Sequence, residues 1–408
     1  MELKHGSSTK LYTIDALCAI THPVRQYMRI DFLDFTRIHG HFAIPSSNLL
    51  KIGVVLAVWD CIGNTIKCIA AIQSGNVTKA QEIFAVFGMA LVMTMRGFSL
   101  AMNRVKLSKL LNDLDYIFPH SVQLQADMEV GKCHRYIKKR FFTLHAIMTT
   151  ALVPFCFMPL AKFFILYDFE EKHPVSDDFH LNASWMPFGL KVKFHTYAFI
   201  YIYETVLAII AVNMVITWDH VFVITISQLC MYYEYLAKLL EQMDVREAKD
   251  IQKEDAFFTQ LHLYIYIHQY LRSLASDINN IFNLSIMISH MASAMSICFN
   301  LFLISGAEDY LSMATYLAPC LVEIWLLYDV SKWGTLLETV TSRINEVLYE
   351  QKWYESSVRF GKYTKIWMQG TNEPSRLTAF NMFNVNMKHF QDMMMLAYQM
   401  LTFMKSKS

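Results

Sequence analysis

The stretch TYAFIYIYETVLAIIAVNMVITWDHVFVITISQL, Thr196–Leu229, decides the fold class of this chain. Among its 34 residues only Glu204 and Asp219 carry a formal charge. A helix crosses the roughly 30 Å hydrocarbon core of a bilayer with about 20 apolar residues. The stretch therefore predicts a transmembrane helix that is long enough to tilt or to extend beyond the membrane.

Six further apolar runs are also long enough to span a bilayer. They are Leu49–Ile72, Ala80–Met102, Phe142–Phe169, Ile281–Ser305, Asp309–Tyr328 and Asn386–Met404. Hydrophobic residues make up 54% of the 408 residues and charged residues only 17%, which is too apolar for a surface that faces water. We therefore predict an all-α integral membrane protein with seven transmembrane helices, in which Thr196–Leu229 is the fourth.

Loop charge predicts the orientation of these helices. The N-terminal segment and the loops after the second, fourth and sixth helices are rich in Lys and Arg. The opposite side holds only Lys79, Lys172, Lys191, Lys193 and the tail lysines Lys405 and Lys407. Basic loops stay on the cytosolic side. The first residues, MELKHGSSTKLYTIDAL, also lack the apolar core of a signal peptide. These features predict a cytosolic N-terminus and an extracellular C-terminus.

Two glycosylation sequons, at Asn76 and Asn182, fall in loops that this orientation places outside. Such tripeptides also occur by chance, so both are candidates only. The formal net charge of +1 gives no indication of a nucleic-acid partner.

The chain divides into four predicted regions. Residues 1–48 form a cytosolic N-terminal segment, and residues 49–330 form helices one to six. In residues 331–376, Ser331–Gln369 reads as a cytosolic helix, and the turn cluster GTNEPSR, Gly370–Arg376, ends it. Residues 377–408 hold a linker, the seventh helix and a short extracellular tail, and Asn386 is the expected N-cap of that helix.

Several function classes are disfavoured by what the sequence lacks. The third helix has no Asp-Arg-Tyr at its inner end, the seventh has no Asn-Pro-x-x-Tyr, and the N-terminus is predicted inside, so a metabotropic seven-helix receptor is an alternative only. A transporter with a midplane site remains a second alternative, although no internal repeat is visible. No metal-box spacing, Gly-rich phosphate loop or nucleophile elbow occurs, and we predict no enzyme, catalytic residue, metal or cofactor.

Aromatic residues crowd the predicted outer half of the helix bundle. An interfacial aromatic belt explains part of this pattern. The remainder predicts a pocket for a small apolar molecule. In the fourth helix, Phe199 and Tyr203 share one face while Tyr197 and Tyr201 share roughly the opposite one, so one pair can line a cavity while the other faces lipid. Our predicted ligand-binding residues are Ile83, Phe84, Phe87, Phe155, Met158, Phe199, Tyr203, Tyr310, Met313 and Tyr316.

The last sixty residues resemble the insect odorant receptor family. The segments INEVLYEQKWYESS and SRLTAFNMFNVNMKHFQDMMMLAYQMLTFMK carry the resemblance. Counterparts of the family pattern are Tyr349, the pair Trp353 and Tyr354, the run Leu377–Ala379, Phe383, Phe390, Tyr398, Thr402 and Lys405. The departures are Ala397 and Gln399 in place of serines, Met400 in place of tyrosine and Phe403 in place of leucine.

This resemblance implies a ligand-gated, non-selective cation channel in the plasma membrane of an olfactory neuron dendrite. It also implies a heterotetramer of odour-tuning subunits and a shared co-receptor, a small volatile as ligand, and contact with lipid and permeating cations. The co-receptor's long insertion between helices four and five is absent, so the chain looks like a tuning subunit.

In the same family, helix seven lines the pore, and the inner helical bundle anchors the subunits to one another. A pore helix must insert into lipid and still offer polar groups to ions, and apolar groups at its narrow point can gate by dewetting. The implied anchor residues are Tyr349, Trp353 and Tyr354, and the implied pore or gate residues are Tyr398, Leu401, Thr402, Phe403 and Met404, with Phe403 at the constriction. Packing against helices five and six is the alternative for Tyr398 and Leu401.

Overall fold

The structure is a computed structural model that describes residues 11–21, 33, 35–44, 47–166, 194–307 and 310–407. Its helices in chain order are α1 (Ile14–Cys18), α2 (Asn48–Gln73), α3 (Val77–Ile117), α4 (Val122–Asp127), α5 (Val130–Leu166), α6 (Phe194–Glu241), α7 (Glu254–Gly306), α8 (Tyr310–Glu350), α9 (Val358–Thr371) and α10 (Met387–Lys407). Two short antiparallel hairpins join β1 (Thr36–Ile38) to β2 (His41–Ala43) and β3 (Thr378–Ala379) to β4 (Phe383–Asn384).

Within the described ranges, six helices are long and apolar enough to cross a membrane, namely α2, α3, α5, α6, α7 and α8. The seventh predicted span folds as α10, a helix of 21 residues with a more polar composition. The prediction of a helical membrane protein is therefore confirmed, with six spans set by length and composition and α10 as the seventh helix.

Five of the helices extend well beyond their predicted membrane spans. α3 and α6 continue to Ile117 and Glu241, α5 and α7 already begin at Val130 and Glu254, and α8 runs on to Glu350. Because successive spans alternate in direction, all five extensions lie at one end of the bundle. Hydropathy marks only the part of a helix that is compatible with lipid. The basic segments that follow the second, fourth and sixth spans are therefore largely helical.

The core is centred on α6, whose side chains from Val212 to Tyr233 are almost all buried. Trp218 and Phe222 of α6 stack at 5.3 Å, and Phe282 of α7 meets both rings edge-on. At the interface of α3 and α7, a Cβ on Gly88 would lie 2.6 Å from the Ser296 Cβ. Small residues allow such close approach between membrane helices, and Gly88 thus sets the spacing of α3 and α7.

The first hairpin docks on the extension of α3. The backbone N–H of Phe42 donates to the Asn112 side chain at 2.6 Å, and the amide of Asn112 donates back to the Phe42 carbonyl at 3.0 Å. Arg37 on β1 bridges Asp15 of α1 and Asp115 of α3, each at 2.8 Å. These contacts fix the described part of the N-terminal segment to the end of the bundle that carries the helix extensions.

The region after the sixth span differs from the single helix predicted for Ser331–Gln369. α8 ends at Glu350, a 3-10 turn covers Trp353–Glu355, and a second helix, α9, begins at Val358. Ser357 starts α9 because its hydroxyl accepts the Phe360 N–H at 3.2 Å, which is ordinary N-capping. The single-helix prediction was wrong at this break, whereas the turn cluster does end the helical region, since α9 stops at Thr371.

A buried histidine in this region makes the stability of the fold dependent on pH. The Trp367 indole N–H on α9 donates to His268 Nδ1 on α7 at 3.2 Å. Burial, together with Arg272, lowers the pKa of His268 from 6.5 to about 4. The folded chain therefore favours neutral His268, and stability should be lost as the pH falls from 6.5 towards 4, by roughly 2 kcal/mol between pH 7 and pH 5.

Thermal unfolding of the detergent-solubilised chain at the two pH values measures this effect. His268→Gln keeps an acceptor for the Trp367 N–H but cannot take up a proton, so its loss of stability at pH 5 should be smaller. His262→Gln, which replaces an exposed histidine on the same helix, is the control and should leave the wild-type dependence intact. Equal pH dependence in all three proteins would contradict the assignment to His268.

Candidate ligand site and pore helix

The aromatic candidates on α3 and α8 come together near one end of the bundle. Phe84 of α3 stacks on Phe299 of α7 at 5.1 Å. The Tyr316 hydroxyl of α8 donates to Glu82 Oε1 of α3 at 3.3 Å. Ile83 and Phe87 are close to Phe84 in the sequence, Met313 is close to Tyr316, and all three side chains are half-buried. This group therefore lies at the junction of α3, α7 and α8, with one carboxylate among apolar and aromatic walls.

A second aromatic group lies between α5 and α6. Tyr197 of α6 stacks on Phe163 of α5 with ring centres 4.4 Å apart, and both rings are buried. The Tyr201 hydroxyl donates to the Cys156 carbonyl of α5. Phe155 and Tyr203 are half-buried. The side chain of Met158 lies outside the described residues.

Two predicted ligand-binding residues point away from the bundle. Phe199 is 70% exposed and Tyr310 is 88% exposed. The expectation that Phe199 lines a cavity is corrected by this placement, because its opposite pair, Tyr197 and Tyr201, packs inward. One sequence signal indicated the choice: Glu204 lies seven residues after Tyr197 and three after Tyr201, on the same face, and it is buried.

α10 divides its predicted pore residues between two faces. Tyr398 and Phe403 are 61% and 65% exposed, and Gln399 and Thr402 lie on the same exposed face. Leu401 and Met404 instead pack with Ala397 against a cluster that contains Ile297, Cys298 and Cys320 of α7 and α8. The expectation that Leu401 and Met404 face a pore is corrected by this packing, and the alternative given for Leu401 is the one observed.

The start of α10 has the predicted cap. Asn386 Oδ1 accepts the His389 N–H at 3.0 Å, so the N-cap prediction is confirmed. The amide of Asn386 in turn donates to Glu338 Oε2 of α8 at 3.3 Å. His389 itself is hydrogen-bonded to His290 of α7, with Nε2 and Nδ1 3.2 Å apart. The first turn of α10 is thus tied by side chains to both α7 and α8.

The linker before α10 lies along one face of α8. Thr335 accepts the Met387 N–H at 2.8 Å, Glu338 Oε1 accepts the Arg376 guanidinium at 2.8 Å, and Thr341 donates to the Ser375 carbonyl at 3.3 Å. A Cβ on Gly334 would lie only 1.8 Å from the Val385 carbonyl oxygen. These α8 residues share one helical face; we call this set, Gly334, Thr335, Glu338 and Thr341, the docking strip.

The predicted anchor residues are exposed at the C-terminal end of α8 and in the 3-10 turn that follows it. Tyr349 and Tyr354 are exposed, and Trp353 meets Tyr354 edge-on at 6.0 Å. The Ser356 hydroxyl donates to the Val245 carbonyl at 2.6 Å, and the Gln351 amide donates to the Leu240 carbonyl at 2.8 Å. The aromatic rings therefore stand on a turn that is held firmly against the end of α6.

The structure describes one of the two glycosylation candidates. Asn76 is exposed and caps α3, because its Oδ1 accepts the Lys79 N–H at 3.0 Å. Asn182 lies outside the described residues. Among the residues that the structure does describe, no group of three or more His, Cys, Asp or Glu side chains is arranged to hold a metal ion.

Comparison with known proteins places the chain in a family. A family model described as 7tm Odorant receptor matches residues 76–398. Odorant receptor 88a of Drosophila melanogaster is 29% identical over 348 residues, which cover 85% of this chain and 84% of that protein. Odorant receptor 67c of the same species is 21% identical and covers 91% of this chain and 88% of its own length.

Solved structures show the same fold. The insect olfactory receptor OR5 from Machilis hrabei, in complex with eugenol, matches with a TM-score of 0.73 at 14% identity over 88% of each chain. A second structure of that receptor matches with a TM-score of 0.63 at 17% identity, over 94% of this chain and 98% of its own. Members of this family are receptors and not enzymes. The family model spans most of the sequence, so the chain belongs to the insect odorant receptor family.

Proposed function

We propose that this protein is the odour-tuning subunit of a heteromeric, ligand-gated, non-selective cation channel in the plasma membrane of insect olfactory neurons. The observation that carries the proposal is the exposed face of α10. Tyr398, Gln399 and Thr402 form a polar stripe on a helix of membrane length whose other face packs into the bundle. Such a stripe is costly against lipid but suits a water-filled path shared with other subunits.

The ligand side of the proposal rests on the two aromatic groups. The family binds odorants, and the eugenol complex of the Machilis receptor shows that this fold can hold a small aromatic molecule. In this chain, Phe84, Phe299 and Tyr316 offer apolar walls with one hydroxyl–carboxylate pair. A volatile that binds the open state better than the closed one would shift the channel towards opening.

The partner side rests on the exposed aromatic turn. Tyr349, Trp353 and Tyr354 are large, exposed and held on a rigid support. Aromatic residues of this kind are enriched in protein interfaces. We propose that this turn contacts a co-receptor subunit on the cytosolic side, in a heterotetramer with the orientation given by the loop charges.

Current recordings test the function. The chain is expressed with and without the shared odorant receptor co-receptor, G-protein signalling is blocked, and odour panels are applied as short pulses. We expect fast inward currents that need the co-receptor and survive the block. Currents that disappear under the block, or no current with any odour panel, would refute the channel proposal.

Phe403 is the proposed gate residue, because an apolar ring at a narrow point excludes water. Phe403→Ala should raise the basal current of the co-expressed channel several-fold and change its ion preference. The matched control is Phe164→Ala, which removes a ring of similar exposure, 63%, on α5. Unchanged conductance, ion preference and leak in Phe403→Ala would exclude a gating role for this side chain.

A further inference from the structure

Four side chains of opposite charge are buried together where α3, α5, α6 and α8 meet. Arg140 of α5 donates to Asp219 of α6 at 2.7 Å and to Asp329 of α8 at 3.1 Å. Arg96 of α3 lies over the Trp218 ring at 4.4 Å and within electrostatic range of both carboxylates. None of the four is more than 8% exposed. Two cations and two anions balance one another at this point.

The charges balance, but the hydrogen bonds do not. Among the described residues, Arg96 Nε and Nη1 have no hydrogen-bond partner, and neither does Asp219 Oδ1. In the part of the chain that the structure describes, the Nε2 atom of His290 on α7 is also without a partner, and His290 lies within electrostatic range of Arg96. Leaving a buried charged donor or acceptor unsatisfied costs several kcal/mol. The four atoms include donors and an acceptor at one junction, which is the setting in which internal water is bound.

We propose that Arg96, Asp219 and His290 hold a group of internal water molecules that complete this charge cluster, and that the hydrated cluster links the bundle core to α10. Water both donates and accepts, so internal water can satisfy the Arg96 N–H groups as well as Asp219 Oδ1. The second half of the proposal, the link between the cluster and α10, rests on the proposed channel function.

The link to α10 runs through the two histidines. His290 uses Nδ1 for His389, on the first turn of α10, and its other ring nitrogen is buried without a hydrogen-bond partner among the described residues. A change in the position of α3 or α6 would alter the water contacts of His290 and therefore the orientation of the ring that meets His389. Among the charged groups, Arg96 interacts electrostatically with His290, and Asp392 of α10 interacts electrostatically with His389. The cluster is thus placed between helices that carry ligand candidates and the helix that carries the proposed gate.

High-resolution cryo-electron microscopy of the full chain, assembled with its co-receptor in lipid nanodiscs, tests the water site directly. We expect ordered solvent density within hydrogen-bond distance of the Arg96 guanidinium and Asp219 Oδ1, and its loss or rearrangement in Arg96→Met. Arg96 bonded directly to Asp219 with no solvent density would overturn the site. This readout does not depend on whether odours evoke currents.

A double-mutant cycle tests the link to α10. Arg96→Met and His389→Gln are measured singly and together through the odour concentration for half-maximal current. We expect Arg96→Met to shift this concentration by roughly tenfold alone, but far less in the His389→Gln background. Thr94→Val is the control, because the Thr94 hydroxyl on the same helix bonds to the Ala90 carbonyl at 2.7 Å and lies 3.4 Å from Cys61 Sγ of α2. Its effect should add to that of His389→Gln.

The outcomes separate the two claims. Solvent density with strictly additive shifts for Arg96→Met and His389→Gln overturns the link and keeps the site. If the wild-type assembly gives no odour-evoked current at all, the proposed function fails, and the density alone then decides the water site.

Discussion

Replacing Gly334 with alanine should displace the linker that leads into α10 and destabilise the folded chain by at least about 3 kcal/mol. The added Cβ would lie 1.8 Å from the Val385 carbonyl oxygen and 2.9 Å from its carbonyl carbon. Backbone cannot yield as a flexible side chain can, and Val385 is itself buried. The linker would have to leave the docking strip, and Asn386, which caps α10, would be displaced together with it.

Thermal unfolding of the purified chain and odour-evoked current after co-expression measure the two consequences. Gly361→Ala is the matched control, because Gly361 also lies inside a helix but a Cβ there meets no atom of the described residues within 4 Å. Helix propensity alone should stabilise that variant by up to about 1 kcal/mol. A Gly334→Ala protein as stable and as responsive as the wild type would mean that the close contact with Val385 does not exist in solution.

Arg140→Met should destabilise the fold by about 3–5 kcal/mol, because it leaves Asp219 and Asp329 buried without the guanidinium that bonds to both. The side chain of Arg140 is 8% exposed and bonds to both carboxylates. By contrast, Arg343→Met removes an exposed pair with Glu241 at 2.8 Å, and such surface pairs contribute at most about 1 kcal/mol.

The double variant Arg140→Met with Asp329→Asn makes the prediction specific to charge. It removes one cation and one anion, so Arg96 and Asp219 remain as a balanced pair. We expect it to be more stable than Arg140→Met alone, as judged by thermal unfolding and by the yield of folded protein. A double variant that is less stable than both single variants would show that shape and hydrogen bonding, and not charge balance, dominate at this cluster.

Local chemistry in the sequence predicted part of this structure well. Long apolar runs located the helices because lipid imposes a minimum length of about 20 residues. The Asn386 cap was predictable because capping involves residues three positions apart. The ends of α3, α5 and α7 were not predicted, since a helix that leaves the membrane loses its apolar signature but not its hydrogen bonds.

Which face of a helix packs inward was harder to predict. Periodicity separated Phe199 from Tyr197 but did not by itself rank the two faces. The family resemblance grouped Leu401 and Met404 with Phe403, although both pack against α7 and α8. The charge cluster was invisible, because Arg140 pairs with carboxylates 79 and 189 residues further along the chain. Such pairings depend on the assembled bundle, and one sequence does not contain them as a local pattern.

The docking strip has a mechanical consequence. α10 is clamped at its first turn by directed bonds from α8 and α7, whereas its far half is held by apolar packing of Met400, Leu401 and Met404. A helix of 21 residues is roughly 30 Å long, so a tilt of about 5° about the clamped end moves the other end by roughly 2.6 Å. Directed bonds resist rotation, and methionine-rich packing adjusts with little cost. α10 is therefore held more tightly at its first turn than at the end that carries Phe403. Small displacements in the bundle should be largest at that ring.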